Sequence, residues 1–499
     1  MNIQQAKDYI KDSIRLYLKK DELGQYKIPL PSQRPIFLLG APGIGKTAIM
    51  EQIAQELGIA LVSYSMTHHT RQSALGLPFI VEKQFGQERF SVSEYTMSEI
   101  IASVYETMEE SGIREGILFL DEINCVSETL SPSMLQFLQY KTFGRHRVPE
   151  GWIIVTAGNP PQYNRSVREF DVVTLDRLKI LEVEEDYETW KHYARERGVH
   201  PAILSFLEMK KEFFYHIETT VKGRLYVTAR GWEDLSRIIT LYEEEWLKVD
   251  ETLIGQYLRS EKIVKEFGAY YDLYCKYKKD YHLEEIISGK VTDEMKKKAE
   301  SAPFDERLAL TGMLVDRTLS NMTECMAFYD YLAALMGYLK PMKSVDQDLT
   351  LQIEALIPRL LEEEKKLAAA GALSPAEQRK GKRLQQFLEK AKKEILLSSD
   401  RSRDADFEVV KKLFDEETEK MKTLSFRIDY QTEHIFDFIA DAFSQGNEML
   451  ILVTELTVNT QAARYIAAFG CSSYTKYNDQ LMLSARSGQI AERIAKLEL

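Results

Sequence analysis

The chain has 499 residues, 65 basic and 77 acidic, for a net charge of −12; that is too long for one compact core and predicts about three units at roughly 150 residues each. The acidic balance disfavours non-specific attraction to nucleic acid or to an anionic membrane. Cys125, Cys275, Cys325 and Cys471 stand far apart with no CxxC pair, which argues against a zinc site and a disulfide framework and fits a reducing cytoplasm.

Near the start, Ile3, Ile10, Ile14 and Tyr17 recur at near-helical spacing among charges, a pattern for a surface helix rather than the continuous apolar stretch of a signal peptide. No later segment reaches the ~18 uninterrupted apolar residues needed to span a bilayer. Stable membrane insertion is therefore not expected, and the expected location is cytoplasmic. Across residues 31–185, short apolar runs at 35–39, 60–64, 116–120, 152–157 and 180–183 alternate with helical patterns. This predicts an α/β core, a parallel sheet with flanking helices.

After about residue 186 the strand signals fade. A helix over 187–197 and a restart at His200 and Pro201, where proline suits a first helical turn, open a long all-helical region. Within it, Ile353, Ile357, Leu360 and Leu367 mark one amphipathic arm, and Leu384, Leu388, Ala391 and Ile395 repeat at heptad-like spacing on another. Gly371 can end the first arm, and Ser374-Pro375-Ala376-Glu377 reads as a capping box opening the second. The two predict a helical hairpin near 350–398 with a charged outer surface. Its length suggests a docking role, so it is expected to dock a partner or client, and its deletion is expected to leave the basal activity of the rest of the chain nearly intact.

The chemistry concentrates earlier. Gly40-Ala41-Pro42-Gly43-Ile44-Gly45-Lys46-Thr47 satisfies GxxxxGK[ST] between a strand run and a helix pattern. Glycines let backbone N–H groups turn inward around phosphates, and the helix N-terminus adds a dipole favourable to an anion. ATP is the expected ligand, with Lys46 on the β- and γ-phosphates and the Thr47 hydroxyl on magnesium. The run at 117–120 ends in Asp121-Glu122, which places two carboxylates at a strand's C-terminal edge beside the phosphate loop. Asp121 is expected to hold magnesium through water and Glu122 to act as general base. The strand at 152–157 runs into Gly158-Asn159-Pro160, and Asn159 could orient the water or touch the γ-phosphate. In isolation that tripeptide is an ordinary turn.

Together these blocks resemble the AAA+ ATPases, and more narrowly the MoxR family within the helix-2-insert group, over roughly residues 30 to 240. The resemblance divides the chain into an N-terminal helix (1–30), an AAA+ core (31–185), a helical lid (186–300) and a helical C-terminal extension (301–499) that includes the hairpin. Thr70-Arg71-Gln72-Ser73-Ala74-Leu75-Gly76-Leu77-Pro78 looks like the family segment after the second strand. The runs 79–83 and 89–95, flanking Phe85-Gly86-Gln87, would be the insert that faces a central pore. The resemblance also implies an arginine finger at Arg177, reaching into a neighbouring subunit's ATP, and a sensor 2 arginine at Arg230. A planar cation where phosphoryl charge builds can accelerate hydrolysis ~10³-fold or more. The family has an aromatic after the finger arginine where this chain has Leu178, and Arg165 and Arg168 lie close by, so the choice among the three stays open. A finger acting in trans requires a homo-oligomer, in this family a hexameric ring. Family membership further implies a protein client and a partner with a von Willebrand factor A domain.

Other features read as structural. The adjacent His68 and His69 turn to opposite sides of an extended segment, a poor start for a metal site. Tyr270, Tyr274, Tyr277 and Tyr281, interleaved with lysines, could stack on single-stranded nucleic acid, but one amphipathic helix packing its tyrosines inward is the favoured reading. Two alternatives to client remodelling remain from the sequence. A nucleic-acid-dependent motor would be stimulated by single-stranded DNA or RNA, and a slow nucleotide switch would make Glu122→Gln inconsequential.

Overall fold

The structure is a computed structural model and describes residues 1–68, 74, 76–163, 167–168, 170–220, 223–343, 348–398, 402–443 and 446–481. The chain divides into two compact units: Met1–Thr189 together with Leu356–Gly381, and Trp190–Ala355 together with Lys382–Leu499.

The first unit opens with α1 (Ile3–Tyr17), followed by β1 (Ile36–Gly40), α2 (Lys46–Leu57) and β2 (Ala60–Ser65). A hairpin of β3 (Pro78–Phe85) and β4 (Glu88–Tyr95) leads to α3 (Glu99–Ser111), β5 (Gly116–Asp121) and α4 (Ser131–Tyr140). A small pair, β6 (Thr142–Phe143) and β7 (His146–Arg147), precedes β8 (Trp152–Gly158), α5 (Val172–Leu175) and β9 (Lys179–Val183). The five long runs read from the sequence form one sheet in the order β2-β5-β8-β1-β9, parallel throughout. Ile117, Leu118, Phe119 and Leu120 are all 0% exposed, which explains their unbroken apolar run: a strand covered on both faces has no polar side to alternate with. The register Ser65↔Asp121 and Leu39↔Gly158 brings the polar strand ends to one edge of the sheet.

An edge strand leaves a row of backbone groups unpaired unless something covers it. At β9 the backbone of Met1 does so, accepting from Glu184 N at 2.9 Å and donating to Glu182 O at 3.0 Å. At β2 the cover comes from the turn of the helical hairpin, where Leu61 N donates to Ala370 O at 2.9 Å. The hairpin helices run over Leu349–Ala369 and Pro375–Leu397. The first ends in a Schellman motif: Ala372 N bonds Leu367 O, Gly371 N bonds Ala368 O, and Gly371 takes φ +65°. The second opens on reciprocal bonds between Ser374 and Glu377. Ala370 and Ala372 are 0% and 3% exposed within the apolar cluster that includes Phe37, Val62, Ile101, Val104 and Leu118. Residues 356–381 thus group with the first unit, with Ala370 and Ala372 in its core, whereas the sequence places them in the C-terminal extension. Deleting the hairpin would open that core, so basal turnover is not expected to survive its removal.

β3 and β4 pair antiparallel from Pro78↔Tyr95 to Phe85↔Glu88, a longer ladder than the runs 79–83 and 89–95. Of the segment before them, residues 70–73 and 75 lie outside the described residues, as do His69 and Arg165.

The second unit is mainly helical and includes helices of 39 and 40 residues, Phe304–Met342 and Arg403–Ala442. It also holds an antiparallel strand pair, His216–Thr220 and Gly223–Val227, which the expectation of an all-helical region missed because two five-residue strands carry little periodicity. Tyr270, Tyr271, Tyr274 and Tyr277 are buried along the helix Glu261–Asp280, and Tyr281 just beyond it is buried too. These tyrosines are core, not a stacking platform. No helix among the described residues is long and apolar enough to cross a membrane.

Candidate functional site

The site lies at the C-terminal edge of the sheet, where β1, β5 and β8 end and α2 begins. Gly45 precedes α2 at φ +95°, a conformation costly for any residue with a Cβ, and no side chain caps the helix. The helix dipole at this end favours an anion. At Gly40 a Cβ would meet Val183 O at 2.6 Å and Ile44 Cδ1 at 2.8 Å, so glycine is required to bring β1 into the loop.

Lys46 is 8% exposed. Its Nζ donates to Gly40 O and Ala41 O, both at 2.8 Å, and to Asn159 Oδ1 at 2.9 Å. The phosphate loop and the end of β8 thereby meet across 113 residues of sequence. Thr47 Oγ1 donates to Asp121 Oδ2 at 3.1 Å, and Glu122 N donates to Asp121 Oδ1 at 2.8 Å, so both carboxylate oxygens of Asp121 are oriented.

Glu122 follows at φ 55°, in the left-handed region unusual for a non-glycine residue. Strain of this kind persists where surrounding structure over-determines it, and here the side chain is held. Ser65 Oγ and Thr67 Oγ1 donate to Glu122 Oε2 at 3.1 and 3.0 Å. Burial raises the Cys125 thiol above its usual range, and the charges of Glu122 and Asp121 raise it further.

Asn124 ties the strand ends together. Its Nδ2 donates to Asn159 O at 2.8 Å, and its own carbonyl accepts from Arg168 N at 2.9 Å. Its Oδ1 is buried with no hydrogen-bond partner among the described residues. The amide packs so closely on β8 that a Cβ at Gly158 would lie 2.4 Å from Asn124 Oδ1. Sequence reasoning passed over Asn124, Ser65 and Thr67. The signal for Asn124 was the glycine at 158, since glycine in a strand marks a close approach; for Ser65 it was the polar end of the run beside the acidic pair.

The arginines stand differently. Arg177 follows α5 and is exposed; its backbone N donates to Thr174 O at 3.0 Å, and its charge helps to lower the Asp171 carboxyl, after the hydrogen bonds that carboxylate accepts from Thr174. Arg168 pairs with Glu128 at 2.6 Å, a half-exposed surface bridge. Arg230 lies in the second unit, exposed, near the start of the helix Ala229–Glu244, whose N-cap Thr228 accepts from Gly231 N.

A buried ammonium, a hydroxyl–carboxylate pair and an uncapped helix N-terminus form a donor set that fits a metal-bound polyphosphate. Fold and site together define a P-loop nucleotide-binding domain of the doubly wound α/β class. Residues 36–173 match the model of the ATPase family associated with various cellular activities (AAA). The chain therefore carries an AAA domain, which indicates an ATPase in general. A comparison with curated proteins returns no match.

Proposed function

We propose that this protein is an oligomeric MoxR-like AAA+ ATPase that couples hydrolysis to remodelling or maturation of a protein client, with a von Willebrand factor A-domain protein as partner. The observation that carries the catalytic part is the convergence of Lys46, Asn159, Thr47 and Asp121, with Glu122 beside them. Lys46 would bind the β- and γ-phosphate oxygens of ATP, while Thr47 and, through water, Asp121 would hold magnesium. Magnesium held there would supply positive charge against the charge that develops on the phosphates. Glu122 orients a water molecule and accepts its proton as the water oxygen bonds to the γ-phosphorus. The bond from the γ-phosphorus to the bridging oxygen breaks, and ADP and phosphate leave. Asn159 keeps the γ-phosphate side of the site polar and aligned.

Support for client handling comes from the β3–β4 hairpin. Phe79, Ile80, Phe85 and Phe90 are exposed on it, and the rings of Phe85 and Phe90 meet at 6.1 Å near its tip. Lys83 and Arg145 both pair with Glu94 and brace the ladder. An apolar tip on a braced stem suits gripping an extended peptide, and apolar patches of this kind mark interaction sites. The exposure of Arg177 suits a finger donated to the next subunit of a hexameric ring.

The test is the ATPase rate of the full chain, alone and with single-stranded DNA or RNA, followed by isolation of a Glu122→Gln complex with ATP present and mass analysis of what it retains. An oligomer retaining a protein with a von Willebrand factor A domain supports the proposal. Stimulation by nucleic acid would sink it in favour of a motor, and wild-type turnover in Glu122→Gln would remove the catalytic assignment altogether.

A further inference from the structure

The edge strand β2 is held at both ends, and by different things. On one side it pairs with β5 along its length. On its outer side, near its start, Leu61 N donates to Ala370 O. Each group completes the other: the carbonyl closing a helix has no acceptor role left within the helix, and the N–H of an edge strand has no neighbour strand. At its finish β2 delivers Ser65, and the next turn delivers Thr67, the two hydroxyls that hold Glu122.

The grip extends beyond one bond. Ala370 and Ala372 belong to the same apolar cluster as Ala60 and Val62, the inward residues of β2, and as Met66, which lies between the two hydroxyl residues and is 1% exposed. Leu367 packs against that cluster. Gly371 sits so near the strand that a Cβ there would lie 3.2 Å from Leu61 O, at a φ of +65° that side chains rarely adopt. The backbone of β2 at Leu61 is thus closed by a tight turn located more than 300 residues later in the chain, and that turn shares one apolar cluster with the inner face of β2 and with Met66.

We propose that the hairpin turn 370–372 is a positioning element for the Glu122 carboxylate, acting through β2 and the hydroxyls of Ser65 and Thr67. The proposal rests on the ATPase reading of the site. Glu side chains have many rotamers to lose, and a general base that is not held spends less time aimed at its water. Releasing the turn therefore lowers kcat while leaving the phosphate loop, built on β1 and α2, able to bind nucleotide.

The experiment is a double-mutant cycle on the full chain. Gly371→Val combines a left-handed φ with a branched Cβ against Leu61 O; Gly371→Ala is the milder second variant. Each is compared with Ser65→Ala/Thr67→Ala and with the combination, reading kcat, KM and the dissociation constant of a fluorescent ATP analogue. Expected is a fall in kcat of about tenfold for Gly371→Val, a smaller fall for Gly371→Ala, unchanged nucleotide affinity, and no further fall when either is added to the double-hydroxyl variant. Independent, multiplying losses would show that the turn does not act through those hydroxyls. Loss of nucleotide binding in both Gly371 variants would make the turn a packing element alone, which also overturns the proposal. Wild-type hydrolysis by Glu122→Gln would instead overturn the ATPase reading, so the two failures are distinguishable.

Discussion

Thr47 Oγ1 and Asp121 Oδ2 lie 3.1 Å apart, although 74 residues separate them in the chain. The contact exists because β1 and β5 end at the same sheet edge, with β8 between them. A hydroxyl at the first turn of α2 is thereby shared with a carboxylate at the end of a fully buried strand, an arrangement suited to a divalent cation bridging to phosphate.

The first prediction concerns Lys46. Charge-assisted hydrogen bonds are worth about 1.5–3 kcal/mol each, so Lys46→Ala is expected to weaken ATP binding roughly 10²-fold. Titration with a fluorescent ATP analogue checks it. Unchanged affinity would remove the phosphate loop from the site.

Glu122→Gln keeps the size of the side chain and its capacity to accept from Ser65 and Thr67, but it removes the basic carboxylate. Turnover is expected to fall ~10²–10⁴-fold while ATP affinity persists. Single-turnover hydrolysis and nucleotide retention after gel filtration separate the two quantities.

Much of this was legible in the sequence because strong local signals carried it. The run from Ile117 to Leu120 announced a strand covered on both faces, and the glycines around Lys46 announced a phosphate loop. What stayed hidden depends on contacts between distant segments. Nothing near Gly371 indicates that its turn closes the edge of β2, because a Schellman motif looks the same whether it faces water or a strand. Asn124 and Thr67 are ordinary polar residues until the register of β2, β5 and β8 brings them to Asn159 and Glu122.

Asn124→Leu tests the bridge between strand ends. The substitution keeps approximate shape but deprives Asn159 O of its donor, and a buried carbonyl left unsatisfied costs about 1–3 kcal/mol. Because Asn159 also accepts from Lys46, kcat is expected to fall about tenfold or more, with a smaller change in ATP affinity. Asn124→Asp is expected to be as harmful, since it replaces the donor with an acceptor. Equal losses in kcat and affinity would point to general loosening instead.

Lys141 gives a pH signature. It is 1% exposed, with Nζ donating to Leu30 O at 2.7 Å, and burial pushes its ammonium down to about 7. Below that pH the folded and unfolded chains both carry the proton, and the buried charge opposes folding to its full extent. Between about 7 and the ordinary lysine value the unfolded chain binds the extra proton, so stability rises with pH, by at most roughly 1.4 kcal/mol per unit. Chemical unfolding at pH 7 and pH 9.5 is expected to show this rise in the wild type and its loss in Lys141→Met. Parallel pH profiles for the two proteins would count against it.

The last prediction decides among the arginines by making two inactive chains complement each other. Arg168 is already engaged with Glu128, and an exposed bridge of that kind is worth little, so Arg168→Ala is expected to change turnover less than about threefold. Arg177→Ala is expected to bind ATP normally and lose ~10³-fold in hydrolysis. Lys46→Ala fails for the opposite reason, because it cannot hold the nucleotide yet still carries Arg177. If the finger acts in trans, a mixed ring brings an intact phosphate loop next to an intact Arg177, and activity returns on mixing the two variants under conditions that allow subunit exchange. If Arg177 serves its own subunit's nucleotide, no mixture recovers activity at any ratio. A recovery that peaks at intermediate mixing ratios is the expected result, because only there are mixed neighbours frequent.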